Sequence, residues 1–100
     1  MGEEKELKIK WTTGTSQNLH QIEKYIAQGN SDAAIDIILK IIKSVELLVD
    51  NPAMGKVGRL FDTRELIIGG TPFIVVYRIK SGQIEVLRVL HSAMKWPDLL

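Results

Sequence analysis

The order of apolar patterns along the chain predicts an α+β fold with one sheet and two helices. Residues 7–11 alternate apolar and basic side chains, the spacing of a half-buried strand. Residues 19–49 carry apolar side chains at helical spacing, and 63–68, 72–80 and 83–91 are strand-like runs separated by glycine-containing links. We therefore expect an N-terminal edge strand, a two-helix hairpin and a three-stranded antiparallel meander, in the order β-α-α-β-β-β.

Length and composition predict a single domain. The chain has 100 residues, 45% of them apolar and 25% charged, enough for one core and too few for a second. We expect the domain to span residues 1–100, with a flexible N-terminus at 1–6 and a tail at 97–100.

The first strand is short and lysine-rich, as edge strands often are, because Lys8 and Lys10 alternate with its apolar residues. The first helix is predicted to begin with a cap at Thr15 or Ser16 and to end at Gly29.

The second helix is predicted to start at the cap residue Ser31 and to stop before Pro52 and Gly55. Additional isoleucines widen its apolar stripe, so this helix should be covered on more than one side.

Two-residue hairpin turns would set the registers of the meander. Pairing Lys80 with Gln83, and Ile68 with Thr71, predicts a row Arg64–Val75–Arg88 on the outward face, with Tyr77 next to it. The helices would then cover the opposite face, whose central residues are Ile67, Ile74, Val76, Leu87 and Val89.

The arginines of that row are candidate binding residues, because a guanidinium forms paired hydrogen bonds with phosphates and carboxylates. The alternative is that they form ion pairs with nearby carboxylates and shield apolar surface. His91 ends the last strand on the predicted helix side, where a structural role is favoured over proton transfer. Trp96 either packs back on the domain or docks on a partner.

Composition excludes several function classes. Without cysteine and with two isolated histidines, we expect no metal site and no cofactor. A net charge of +1 is too small for a general nucleic-acid binder. The charged N-terminus and the interrupted apolar runs predict neither a signal peptide nor a membrane span, and we expect a cytoplasmic protein.

Three segments together resemble a known superfamily. "NLHQIEKYIAQGNSDAAIDIILKIIKSVELLVDNPAMGKVGR", "TRELIIGGTPFIVVYRI" and "IEVLRVLHSAMKWP" are similar in order and spacing to the RelE/ParE superfamily of bacterial type II toxins. The resemblance covers Leu7 to about Pro97. It implies a toxin of a plasmid-stabilising module, neutralised in a hetero-oligomer by a cognate antitoxin whose disordered segment folds on its surface.

The superfamily implies two alternative targets. ParE-like members inhibit DNA gyrase and are not enzymes; RelE-like members cleave mRNA, usually in the ribosome, without a metal. The ending "LRVLHSAMKW" is more similar to the ParE branch. Ile74 occupies the position where RelE-like strands often carry an arginine, which also favours inhibition of gyrase.

The two targets imply different site residues. In a ribonuclease, Arg64, Arg88 and Lys56 would contact phosphate, and His91 would transfer protons. In a binding protein, the candidate contacts are Arg59, Arg64, Tyr77, Arg88 and Trp96. A third interpretation is an inactive toxin-fold protein that serves as a binding or regulatory module.

Overall fold

The computed structural model of the chain describes residues 7–92. The predicted flexible N-terminus (1–6), Trp96 and the predicted tail (97–100) lie outside this range. The described residues form two α helices and five strands, and the predicted α+β fold is confirmed. The elements are β1 (Lys8–Trp11), α1 (Thr13–Ala27), α2 (Ser31–Glu46) with a 3-10 turn (Leu47–Val49), β2 (Lys56–Val57), β3 (Arg64–Ile67), β4 (Phe73–Lys80) and β5 (Gln83–His91).

The five strands form one mixed sheet in the order β1-β5-β4-β3-β2. β1 lies at one edge, as predicted, and runs parallel to β5 because the helical hairpin carries the chain back across the sheet. The other neighbouring pairs are antiparallel. The sequence analysis missed β2, since two residues are too few to show a period.

Each helix begins with a cap upstream of the predicted one. Thr12 caps α1, where its hydroxyl accepts a hydrogen bond from the Thr15 N–H, and Asn30 caps α2 through the N–H groups of Asp32 and Ala33. Thr15, a predicted cap, is instead buried inside the first turn. An Asn side chain before Ser31 reaches the free N–H groups of the helix, so the helix starts at Ser31 itself.

The predicted row Arg64–Val75–Arg88 is wrong, because both registers differ from those of simple two-residue hairpins. Between β4 and β5 the pairing is as predicted from Lys80 to Tyr77, but a bulge beyond it places Arg88 opposite Val76. Between β3 and β4, Arg64 lies opposite Tyr77.

The longer β3–β4 turn is built by the side chain of Thr71. Its hydroxyl donates to the Ile68 carbonyl at 2.9 Å and accepts from the Phe73 N–H at 3.1 Å. Ile68 N–H then bonds to the Phe73 carbonyl, so Ile68 pairs with Phe73 rather than with Thr71. Gly70 supplies the left-handed conformation, with φ of 75°.

The helices cover the face of β4 that was predicted to point outward. Phe73, Val75 and Tyr77 belong to the core cluster, together with residues of α2, whereas Ile74 and Val76 do not. Both sets are nevertheless buried, and only Arg78 and Lys80, at the end of the strand, mark the face of Ile74 and Val76 as the outward one.

The bulge in β5 also changes which residues face the helices. Val86 lies on the helix side, contrary to the prediction, and so does Val89, as predicted. His91 lies on the helix side, as predicted, but opposite Phe73, for which the predicted partner was Leu90.

Side chains of α1 and of its cap residue form hydrogen bonds with backbone groups at the edge of β5, beyond the end of β1. The hydroxyls of Thr12 and Thr15 donate to the Val86 carbonyl at 2.7 and 2.6 Å. Asn18 Oδ1 accepts from the Val89 N–H at 3.1 Å. These bonds align α1 on the sheet and leave less of the strand edge open to another chain.

Replacing Thr15 with Val keeps the side-chain shape but removes the buried hydroxyl. We expect the free energy of unfolding to fall by about 1–2 kcal/mol, because a buried hydrogen bond is lost. Urea denaturation followed by circular dichroism measures the change. Thr13→Val, at the exposed start of α1, is the matched control and should stay within about 0.5 kcal/mol. Equal losses in the two variants would contradict this account.

Candidate functional site

The hydroxyl of Tyr77 connects the core to the loop after the helices. Tyr77 is fully buried; its hydroxyl donates to the Pro52 carbonyl at 2.7 Å and accepts from the Gly55 N–H at 2.9 Å. Burial raises the pKa of Tyr77, although the bond from Gly55 and the charge of Arg64 act in the opposite direction. A neutral phenol held in this way serves as structural support and is not free to act as an acid.

Arg64 holds the same loop from the neighbouring strand. Its Nη1 donates to the Gly55 carbonyl at 2.7 Å and to the Ala53 carbonyl at 3.4 Å. Gly55 is required at this point, since a Cβ there would lie 2.7 Å from the ring and hydroxyl of Tyr77. The predicted contact residues Arg64 and Tyr77 are therefore neighbours, and both fasten the loop 52–55.

Arg59 forms an ion pair with Glu65 on the sheet face opposite the helices. Glu65 is 2% exposed, whereas the Arg59 side chain is 51% exposed. The Glu65 carboxylate accepts from the Arg59 backbone N–H at 2.8 Å, from Nε at 3.2 Å and from Nη2 at 3.4 Å. Burial alone would raise the pKa of Glu65, but these bonds and the charges of Arg59 and Lys56 outweigh it and lower the pKa.

Arg88 lies on β5, two strands away from Glu65 and next to the start of α1. Its Nη1 donates to the Leu87 carbonyl at 2.8 Å, and its guanidinium occupies the space above Gly14. A Cβ on Gly14 would come within 1.8 Å of Nη1, so glycine makes room for this arginine. Arg88 is half-buried and does not form a pair with Arg64 across the sheet.

His91 ends β5 beside an apolar groove between the helices and the sheet. Its ring packs edge-on against Phe73, with centroids 5.6 Å apart and planes at 84°. The groove has a volume of about 460 Å³, and Tyr25 lies at its exposed rim. Its apolar walls include Ile22, Ile26, Ile37, Phe73 and Val89. This shape suits the apolar side chains of a bound peptide.

The described residues do not bring the predicted ribonuclease groups to one place. Arg64 is opposite Tyr77 and His91 is opposite Phe73, and these two β4 residues are about 13 Å apart along the strand. Lys56 belongs to β2, near Arg59 and Arg64, while Arg88 is beside α1. The basic residues near the β2–β3 edge, Lys56, Arg59 and Arg64, are therefore grouped together, and Arg88 and His91 lie apart from them.

Sequence reasoning missed one prominent residue of that edge. Phe61, in the loop between β2 and β3, is 97% exposed. An aromatic residue between Gly58 and Asp62, two residues typical of turns, was the signal that could have identified it.

Residues 7–92 contain neither a metal-binding cluster nor a membrane-spanning helix. No group of three His, Asp or Glu side chains there is arranged to hold a metal ion. Neither helix of this part of the chain has the length and apolar character needed to cross a membrane.

Comparison with known proteins shows one family. The model of the ParE toxin of type II toxin–antitoxin systems, parDE, matches residues 9–96. A curated protein of Sinorhizobium fredii, provisionally named toxin Y4kP, is 38% identical over 93 residues, 93% of this chain and 96% of that protein.

Solved structures show the same fold. A chromosomal ParDE TA system from P. aeruginosa matches with a TM-score of 0.79 and 24% identity, covering 88% of this chain and 98% of that one. The toxin–antitoxin complex RelBE2 from Mycobacterium tuberculosis matches with a TM-score of 0.65 and 22% identity, covering 86% and 98%. The resemblance to the RelE/ParE superfamily is confirmed.

Replacing Tyr77 with Phe should loosen the loop 52–55. The Gly55 N–H would lose its acceptor inside the protein, so we expect a loss of about 1–3 kcal/mol in the free energy of unfolding. Trypsin should also cut faster after Lys56 and Arg59. Tyr25→Phe, at an exposed tyrosine, is the matched control and should leave both measurements unchanged. Trypsin cleavage of Tyr77→Phe at the wild-type rate would contradict the role of this hydroxyl.

Glu65→Gln should change the response of stability to acid. Because the pKa of Glu65 is lowered by folding, its contribution is present above the ordinary value of 4.5 and is lost as pH falls through the lower folded pKa. We expect Glu65→Gln to be about 1–3 kcal/mol less stable at pH 7, with a shallower loss on acidification, in urea titrations across pH. Glu23→Gln, on the exposed side of α1, should keep wild-type stability at pH 7. A Glu65→Gln acid profile parallel to that of the wild type would count against this role.

Proposed function

The chain belongs to the ParE toxin family of type II toxin–antitoxin systems, and we propose that it acts by binding DNA gyrase rather than by cutting RNA. The observation that supports this choice is the dispersal of the groups that RNA cleavage would need. Within residues 7–92, His91 and Arg64 lie at different ends of the paired part of β4.

Metal-free cleavage of RNA needs three functions within reach of one phosphate. A base removes the 2′-hydroxyl proton, a cation stabilises the phosphate, and an acid protonates the leaving oxygen. Tyr77 is buried and engaged with the loop, and the carboxylate of Glu65 is held by Arg59. Binding to a protein makes no such demand, since it requires only a complementary surface.

The intramolecular hydrogen bonds of the candidate contact residues indicate a role for each. Arg59 keeps half of its side chain exposed while Glu65 orients it, so we propose that it contacts the target directly. Arg64 and Tyr77 support that surface from below by fixing the loop 52–55. Arg88 and Trp96 remain candidate contacts; Trp96 lies outside the described residues.

A cognate antitoxin is the second proposed partner. The two similar structures are of a ParDE system and a RelBE2 complex, and the apolar groove beside α1 offers a place for the apolar side chains of such a protein. A segment that folds as it binds would cover this groove and form a toxin–antitoxin hetero-oligomer. The pair would stabilise the plasmid or other replicon that encodes it, acting in the cytoplasm where gyrase works.

A supercoiling assay tests the choice of target. We expect the purified toxin to block supercoiling of relaxed plasmid by gyrase, the antitoxin to restore it, and ribosome-bound mRNA to stay intact. His91→Gln should arrest growth as the wild type does, because no proton transfer is involved. Normal supercoiling at saturating toxin, or ribosome-dependent cleavage that disappears in His91→Gln, would refute the proposal and favour the ribonuclease.

A further inference from the structure

Phe61 is the most exposed of the large apolar side chains in residues 7–92, at 97%. We propose that Phe61 is an aromatic anchor that inserts into an apolar pocket on the protein target of the toxin. This inference rests on the proposed function, in which the toxin acts by protein contact. It adds to that proposal the residue that makes the contact and the chemistry of the site that receives it.

Several hydrogen bonds close the loop that carries Phe61. Gly58 N–H donates to the Thr63 carbonyl at 2.8 Å, and Thr63 donates to the Leu60 carbonyl from its N–H at 3.2 Å and from its hydroxyl at 2.7 Å. The Arg59 N–H is bonded to the buried Glu65 carboxylate. Leu60 and Thr63 are thus bonded to each other across Phe61, which lies exposed between them.

The turn also restricts which residues can occupy it. Asp62, the residue after Phe61, has a φ of 61°, in the left-handed region that aspartate adopts more readily than most residues other than glycine. Gly58 must lack a side chain, since a Cβ would lie 2.3 Å from the Thr63 hydroxyl. Two positions of this turn therefore accept few residue types, and the turn presents an aromatic ring to solvent.

A fixed, exposed aromatic ring is well suited to binding. Its burial by a partner removes a large apolar area from water, and little conformational entropy is lost because the loop is already ordered. Aromatic and arginine side chains are also the residues most often found at the energetic centres of interfaces.

The neighbours of Phe61 indicate the chemistry of the partner. Val57, at 78% exposure, extends the apolar surface, and Lys56 and Arg59 are exposed cations on the same hairpin. Asp62 is the one carboxylate between Lys56 and Thr63, and it is exposed. The Glu65 carboxylate, just after this segment, is buried beneath Arg59. The complementary site is an apolar pocket, wide enough for a phenyl ring, with carboxylates at its border.

Phe61→Ala, Phe61→Trp and Ile35→Ala test the anchor. Ile35 is a matched control, an exposed aliphatic residue on α2 at 54%. We expect Phe61→Ala to raise the toxin concentration for half-inhibition of gyrase by about 30-fold, the effect of a hot-spot residue. Phe61→Trp should stay within about threefold of the wild type, and Ile35→Ala should match it. Urea denaturation and antitoxin binding should be unchanged in all three variants.

Growth arrest in cells separates failure of the anchor from failure of the proposed target. If the wild type arrests growth without inhibiting gyrase, the proposed function fails, and loss of arrest in a folded Phe61→Ala chain would still support the anchor. Full arrest by Phe61→Ala would overturn the anchor whatever the target is. The same holds if Phe61→Ala weakens only antitoxin binding, or only dissociates a dimer of the toxin in size-exclusion chromatography.

Discussion

The hydrogen bonds of the Tyr77 hydroxyl connect the core of this toxin to its candidate binding edge. The hydroxyl lies between the Pro52 carbonyl and the Gly55 N–H, so the chain leaving the helices is fixed just before β2 begins. Arg64, opposite Tyr77, adds two bonds to the same loop. The position of the β2–β3 hairpin, with Arg59 and Phe61, depends on this buried contact.

The three candidate arginines form hydrogen bonds or ion pairs with other groups of the same chain. Arg64 binds loop carbonyls, Arg88 binds the Leu87 carbonyl beside Gly14, and Arg59 is bound to Glu65. A guanidinium bonded in this way can still add to a protein interface when part of it is exposed, as in Arg59. It is less suited to enclosing a phosphate, because donors directed at carbonyls are not free to surround an anion.

The errors in register have local physical causes. Thr71 uses its hydroxyl to build a longer turn than the glycine pair Gly69-Gly70 suggests, and the bulge opposite Tyr77 inserts one extra residue into β5. Each displacement moves an arginine to a different neighbour. The predicted arginine row therefore failed even though four of the five strands were found almost to the residue.

Local pattern determined the elements of this protein. Alternation of apolar residues, helical spacing and glycine positions were sufficient for the two helices and the meander, since each depends on near neighbours in the chain. The toxin superfamily came from the resemblance of three whole segments to known members. Tertiary structure decided which face of β4 meets the helices, because the first half of the strand is apolar on both faces and only Arg78 and Lys80 at its end mark the outward one. It also decided that Arg64 supports a loop and that Phe61 projects into solvent, since both outcomes depend on contacts between segments that local pattern does not encode.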